Sequence, residues 1–211
     1  MSKPQIIYVH GWGLDKSFWD PLINTLPYKS RSLNLGYIGE KETNPSDQKS
    51  IYVTHSLGTM WALKNHAAHI STLIAINGFY NFKPFSDSRT LRAIKQGLIK
   101  NTSAQMKNFF KTAQIKTNPQ NFNTNRLIKD LDMLATGDET ASLKALSCPV
   151  FSLIGESDPI LALKLCEKEW LGYDVKICQQ GGHALPITHI DWCAEHIESA
   201  IKAHNINSLS V

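Results

Sequence analysis

The sequence predicts an α/β fold: a mostly parallel, doubly wound sheet with a helical insertion. Three observations carry this. Short apolar, β-branched runs alternate with stretches of helical period. One of those runs passes straight into a serine followed by a small residue and a helix, Ile51-Tyr52-Val53-Thr54-His55-Ser56-Leu57-Gly58-Thr59. And residues 80–146 break the alternation, carrying helical stripes and no strand pattern.

Taken in order, the first strand is Ile6 to Val9, apolar on both faces as a central parallel strand is. It ends in the tight turn His10-Gly11-Trp12-Gly13. A helix is expected from Lys16 to Leu26, with Phe18, Trp19, Leu22, Ile23 and Leu26 on one side, then a strand from Arg31 to Leu35. Residues 36–50 are polar, contain Pro45 and lack a helical period, so the helix that usually joins two such strands is expected to be missing or reduced to a turn. Ile51 to Val53 is the next strand and Leu57 to Ala68 its helix. Thr72 to Ile76 follows as a buried strand ending in Asn77-Gly78.

In the insertion, Leu91, Ile94 and Leu98 recur at helical spacing, as do Met106, Phe109, Phe110 and Ala113, and then Leu127, Leu131 and Leu134. Asn101-Thr102-Ser103 reads as a break with a fresh N-cap. This divides the chain into a core of 1–79 and 147–211 and a cap of 80–146. Beyond it come the strand Val150 to Ile154, a helix from Ile160 to Trp170, the strand Asp174 to Cys178 and a final helix from Ile190 to His204. The buried face expected of that helix is Trp192, Cys193, His196, Ile197 and Ile201, and the tail from Asn205 is expected to fray.

Composition bounds the function. The chain has 211 residues, 42% hydrophobic and 19% charged, enough for one α/β domain with a core. No apolar run approaches the roughly 18–20 residues of a membrane span. The first residues lack the apolar stretch of a signal peptide, which predicts a cytoplasmic protein. Cys148, Cys166, Cys178 and Cys193 are scattered singly and read as reduced core residues, with neither disulfide nor metal expected. The net charge of +4 is mild, but seven basic residues and one acid lie between Asp87 and Lys116. That bias suggests an acidic partner rather than nucleic acid.

The chemistry is read from the ends of the strands. A serine at a sharp strand-to-helix turn stands out from the backbone at the C-terminal edge of a sheet, where a nucleophile is needed. Its hydroxyl requires a base, and the base an orienting carboxylate. Asp158, in Gly155-Glu156-Ser157-Asp158-Pro159, follows the strand at 150–154. His183, in Gly181-Gly182-His183-Ala184, follows the strand at 174–178. Ser56, Asp158 and His183 occur in the chain order this arrangement uses. The backbone N–H groups of Leu57 and Trp12 are the expected donors to an oxyanion. Plainer roles stand beside these: Ser56 or Asp158 as a helix cap, Glu156 as the acid, His183 as a structural loop histidine. His55 lines the floor or the core, His10 supports the turn, and His66 and His69 lack a third ligand for a metal.

These four loops resemble the α/β-hydrolase superfamily. Within it, His10-Gly11-Trp12-Gly13-Leu14 followed by Phe18-Trp19 is similar to the pimeloyl-[acyl-carrier protein] methyl ester esterases of biotin synthesis. The pattern departs at Thr54 and Thr59, where the superfamily's elbow carries glycines. The resemblance implies a serine carboxylesterase with no cofactor, acting on a short acyl methyl ester. It implies Ser56, Asp158 and His183 as catalytic residues and Trp12 and Leu57 as oxyanion donors. Trp12, Phe79 and Phe82 would be pocket walls. Arg89, Arg92 and Lys95 would dock the acidic carrier protein, unless they are only the solvated faces of their helices. Neither a nucleic acid nor a membrane partner is expected. The other functions in view are a carbon–carbon hydrolase or lyase on a small acidic metabolite, and a binding protein on a degenerate scaffold.

Overall fold

The computed structural model describes residues 5–44, 48–116 and 121–208, with side chains up to residue 203. The expectations at residues 1–4, at Pro45 and at 209–211 lie outside these. Six strands form one sheet: β1 (Ile6–Val9), β2 (Ser30–Leu33), β3 (Ser50–His55), β4 (Ile70–Ile76), β5 (Val150–Gly155) and β6 (Asp174–Cys178). Their spatial order is β2-β1-β3-β4-β5-β6 and every pair is parallel. Helices cover both sides, so the central strands are buried on both faces. β1 and β3 are buried throughout their length, as a continuous apolar run in a parallel sheet requires.

Each predicted strand is present; β1 and β6 keep the expected bounds, and the ends of the other four shift. β2 stops at Leu33 because the next backbone groups leave the ladder. Asn34 exchanges both its backbone bonds with Glu42, and the Leu35 N–H donates to His10 Nε2 at 3.0 Å. The helix expected over 16–26 is shorter and split, a 3-10 turn at Lys16–Trp19 and then α1 (Asp20–Ile23). Pro21 has no N–H to continue the first turn, so it opens a new one. Among the described residues no helix joins β2 to β3, as the polar stretch predicts.

α2 (Leu57–His66) runs from the end of β3 and finishes in a 3-10 turn at Ala67–His69. Between β4 and β5 lie α3 (Ser88–Thr112), α4 (Thr124–Thr136) and α5 (Thr140–Lys144), and, among the described residues, no strand of the sheet. α3 is two helices joined at a kink. Asn101 sits at φ −162°, ψ 95°, and its side chain accepts the Ala104 N–H at 3.0 Å, which is the predicted fresh cap. Leu91, Leu98, Met106 and Phe110 are buried along α3, and Leu127, Leu131 and Leu134 along α4.

α6 (Leu163–Glu169) begins three residues later than expected, because the Asp158 carboxylate takes the N–H groups of Ile160 and Leu161. After α7 (Leu185–Thr188), α8 (Ile190–Ser208) runs past the expected end at His204, so residues 205–208 are helical rather than frayed. Cys193, Ile197 and Ile201 are buried as expected. Trp192 and His196 are only half-buried and stack on each other at 4.2 Å. The four thiols are free. Three of them, Cys166, Cys178 and Cys193, are buried, and Cys148 is half-buried.

Candidate active site

The residues at the strand ends meet above the C-terminal edge of the sheet. Ser56 joins β3 to α2 at φ 53°, ψ −127°, a conformation an L-residue adopts only under strain. The turn is this tight because α2 starts directly over β1. A Cβ at Gly58 would lie 2.4 Å from the Val9 carbonyl oxygen and 2.6 Å from that of His10. The Ser56 hydroxyl does not cap α2. It lies 3.2 Å from His183 Nε2, and His183 Nδ1 lies 2.7 Å from Asp158 Oδ2.

A carboxylate only accepts, so Nδ1 carries the proton and Nε2 is left to accept from Ser56. Asp158 does not cap α6, whose N-cap is Ala162; its two oxygens divide between its own loop and the base. Oδ1 holds two backbone N–H groups of its own loop and Oδ2 holds the imidazole. Both side chains are buried, which strengthens the interaction between them. Glu156 is turned elsewhere: its carboxylate accepts the Gln180 N–H at 3.0 Å and laces the two loops together.

The turn after β1 is held by His10. Its Nδ1–H donates to the Gly11 carbonyl at 2.9 Å and its Nε2 accepts from Leu35. Full burial pushes its pKa down to about 4, so it stays neutral with one donor and one acceptor in use. Gly11 is required by close approach, since a Cβ there would come within 2.7 Å of His55 Nδ1 and 3.1 Å of Ser56 Cβ. The Trp12 indole N–H donates to the Leu127 carbonyl of α4 at 3.0 Å, and its ring meets Phe109 edge-on at 4.8 Å. The Thr54 and Thr59 hydroxyls are 2.7 Å apart and fully buried. The two departures from the expected glycines are thus one hydrogen-bonded pair, and Thr59 fills the space left by Gly78.

Ser56, Trp12 and Leu57 open onto a cavity of about 240 Å³. Phe79 and Phe82 line it. Phe85, Leu91, Ile94, Phe109, Leu131 and Leu134 line it as well, and no residue of the lining is charged. All of these but Phe85, which precedes α3, belong to stripes whose helical period announces an apolar face. Period alone does not say whether that face meets solid core or a void. Arg89 and Arg92 are exposed beside the lining residues Thr90 and Leu91. Lys95 is spent on Asp132 of α4, with contacts of 2.8 and 3.0 Å. His66 and His69 have ring centroids 6.3 Å apart, and the described residues contain no cluster of three potential metal ligands. Burial pushes the Cys166 thiol up to about 12 and raises the other three, which leaves them unsuited as thiolate nucleophiles.

No family model and no curated protein matches the chain. Solved structures do. A hydrolase from Oleispira antarctica superposes with a TM-score of 0.80 at 12% identity, over 96% of this chain and 92% of that one. A bromoperoxidase from Bacillus anthracis gives 0.78 at 16%, over 96% and 92%. A thermophilic esterase from Thermogutta terrifontis gives 0.76 at 16%, over 96% and 91%. The chain has the α/β-hydrolase fold, and at such identities the likeness reaches no further than the fold.

Proposed function

We propose that the protein is a serine carboxylesterase acting on the ester of an apolar acyl group. The observation that carries this reading is the hydrogen-bonded path Asp158–His183–Ser56, 2.7 and 3.2 Å long, ending at an uncharged cavity. Ser56 Oγ attacks the ester carbonyl while His183 Nε2 takes its proton, and Asp158 steadies the imidazolium that forms. The N–H groups of Leu57 and Trp12 receive the negative charge on the carbonyl oxygen. When the carbon–oxygen bond breaks, His183 passes the proton to the departing alcohol. A water then attacks the acyl-enzyme and gives a proton to His183; the bond from the acyl carbon to Ser56 Oγ breaks, His183 returns the proton to Oγ, and the acid leaves.

The lining argues against a small acidic metabolite, because a carboxylate inside it would have no cation to replace its water. A methyl ester at the end of an acyl chain is neutral and fits. This supports a finer reading: a methyl ester on an acyl group borne by an acidic carrier protein, pimeloyl on its acyl-carrier protein. Arg89 and Arg92 stand exposed beside the cavity and would steer that partner, while Lys95 is already engaged by Asp132.

The test is Ser56→Ala. It is expected to abolish hydrolysis of p-nitrophenyl butyrate with the fold intact. Turnover equal to the parent would remove Ser56 from the mechanism. Rescue of a biotin-requiring strain that lacks its methyl-ester esterase tests the finer reading, and failure to rescue at normal expression would remove it.

A further inference from the structure

We propose that His55 and Asn77 are positioning residues that clamp the backbone carbonyl of His183, and that this clamp sets the distance between base and nucleophile. The proposal rests on the serine-hydrolase reading of Ser56 and His183.

The loop that carries His183 makes one backbone bond of its own ahead of the histidine, Gly181 N–H to the Cys178 carbonyl at 3.1 Å, and is tied to the acid loop by the Ser157 N–H on the Gly181 carbonyl and by Glu156 on the Gln180 N–H. It approaches on Gly181 and Gly182, which are needed because their surroundings leave no room. A Cβ at Gly182 would lie 2.2 Å from Gln114 Oε1, and one at Gly181 2.6 Å from a Leu185 methyl. Two glycines before the imidazole give the segment freedom that outside contacts must remove. The His183 carbonyl supplies the anchor. It accepts from His55 Nε2–H at 2.9 Å and from Asn77 Nδ2–H at 2.9 Å, so both of its lone pairs are engaged.

Each donor links the carbonyl to a different part of the site. His55 directly precedes Ser56, so the group that fixes the base rides on the backbone of the nucleophile. Its ring is wedged between Phe18, at 4.7 Å, and the His183 ring, at 4.8 Å. A carbonyl only accepts, so Nε2 carries the proton, while Nδ1 is buried without a partner and burial, the largest cause, drives the pKa well down and keeps the ring neutral.

Asn77, at the end of β4, ties in the acid. Its Nδ2 also donates to the Gly182 carbonyl at 2.9 Å, its Oδ1 accepts the Gly155 N–H at 2.7 Å, and its own N–H donates to Leu153 at 2.8 Å. One buried amide therefore bridges the end of β5, which leads to Asp158, and the loop of His183. Neither His55 nor Asn77 lines the cavity, so their loss moves the chemistry and not the binding of substrate.

The experiment compares His55→Phe, His55→Gln and Asn77→Ala with the parent and with Ser56→Ala, on p-nitrophenyl butyrate. Covalent labelling by a fluorophosphonate is followed in parallel. A misplacement of about 1 Å between reacting groups costs about 10²-fold. His55→Phe keeps the ring and loses the donor, so kcat and the labelling rate are expected to fall by about that factor with KM within about twofold. His55→Gln restores an N–H and is expected to regain most of the loss. Asn77→Ala is expected to fall with His55→Phe, and if it fails to fold the His55 pair decides. An inactive Ser56→Ala beside a His55→Phe variant with parental kcat would overturn the clamp and leave the hydrolase reading standing. Equal losses in His55→Phe and His55→Gln would overturn it too. A fully active Ser56→Ala would instead overturn the hydrolase reading.

Discussion

Ser56 shows what a single residue gives up for its position. Its φ of 53° and ψ of −127° hold strain of about 1–3 kcal/mol, which only glycine avoids. Ser56→Gly is therefore expected to raise the melting temperature while abolishing esterase activity. A lower melting temperature in that variant would show that the turn is unstrained. Two buried histidines set a second expectation. His10 titrates near 4 in the fold against an ordinary value of 6.5, and His55 is shifted the same way, both chiefly by burial. Between those values the unfolded chain binds protons that the fold refuses. Stability is then complete above about pH 6.5 and drains away as the pH falls towards about 4. Calorimetry from about pH 7.5 to about 4.5 is expected to show a falling melting temperature. A flat profile would mean that the fold accepts these charges.

At the scale of the element, the elbow is built from a packing constraint and a polar pair. Gly58→Ala would push a Cβ into the Val9 carbonyl of β1 and the His10 carbonyl just after it, which no side-chain rotation relieves. The expected loss is about 1–3 kcal/mol with a displaced nucleophile, measured as lowered denaturant midpoint together with lowered kcat. Thr54→Val leaves the buried Thr59 hydroxyl without its partner, at about 1–3 kcal/mol, and Thr59→Val leaves the Thr54 hydroxyl only its longer bond to the Ile74 carbonyl, 3.5 Å. In the double variant the orphan disappears, so the costs are expected to fall short of additive by about 1 kcal/mol or more. Strict additivity in that cycle would mean that the two hydroxyls do not support each other. The kink in α3 belongs to this scale as well. Asn101→Ala removes the side chain that caps the second half of the helix, at about 1 kcal/mol.

Over the whole molecule, the sheet edge and the helices between β4 and β5 close on the same space. Trp12 carries one proposed oxyanion donor on its backbone and hydrogen-bonds α4 through its indole, so the turn after β1 is coupled to those helices. Arg89 and Arg92 stand on the outer side of the same helical layer. Reversing both to glutamate is expected to slow turnover of a carrier-linked ester by about tenfold or more, while leaving p-nitrophenyl butyrate within about twofold. Equal effects on the two substrates would remove the docking idea.

The sequence by itself determined the order of elements, the six strands and the three loops that bear Ser56, Asp158 and His183. It also determined the missing helix before β3 and the cap at Asn101. These follow from local patterns: two-faced apolar runs, turn residues, and side chains that bond their own backbone. Element ends were less legible, because His10 and Asp158 draw backbone N–H groups away from strand and helix. Only the tertiary structure decided that the stripes of α3 and α4 enclose a cavity, that Thr54 finds Thr59, and that Lys95 is spent on Asp132. It alone decided that Asn77, a plain strand-end residue in the sequence, bridges the loops of acid and base. The Asn77 amide joins groups 105 and 106 residues away in the chain. No local periodicity encodes such pairings, because they exist only once the sheet has fixed where each strand ends.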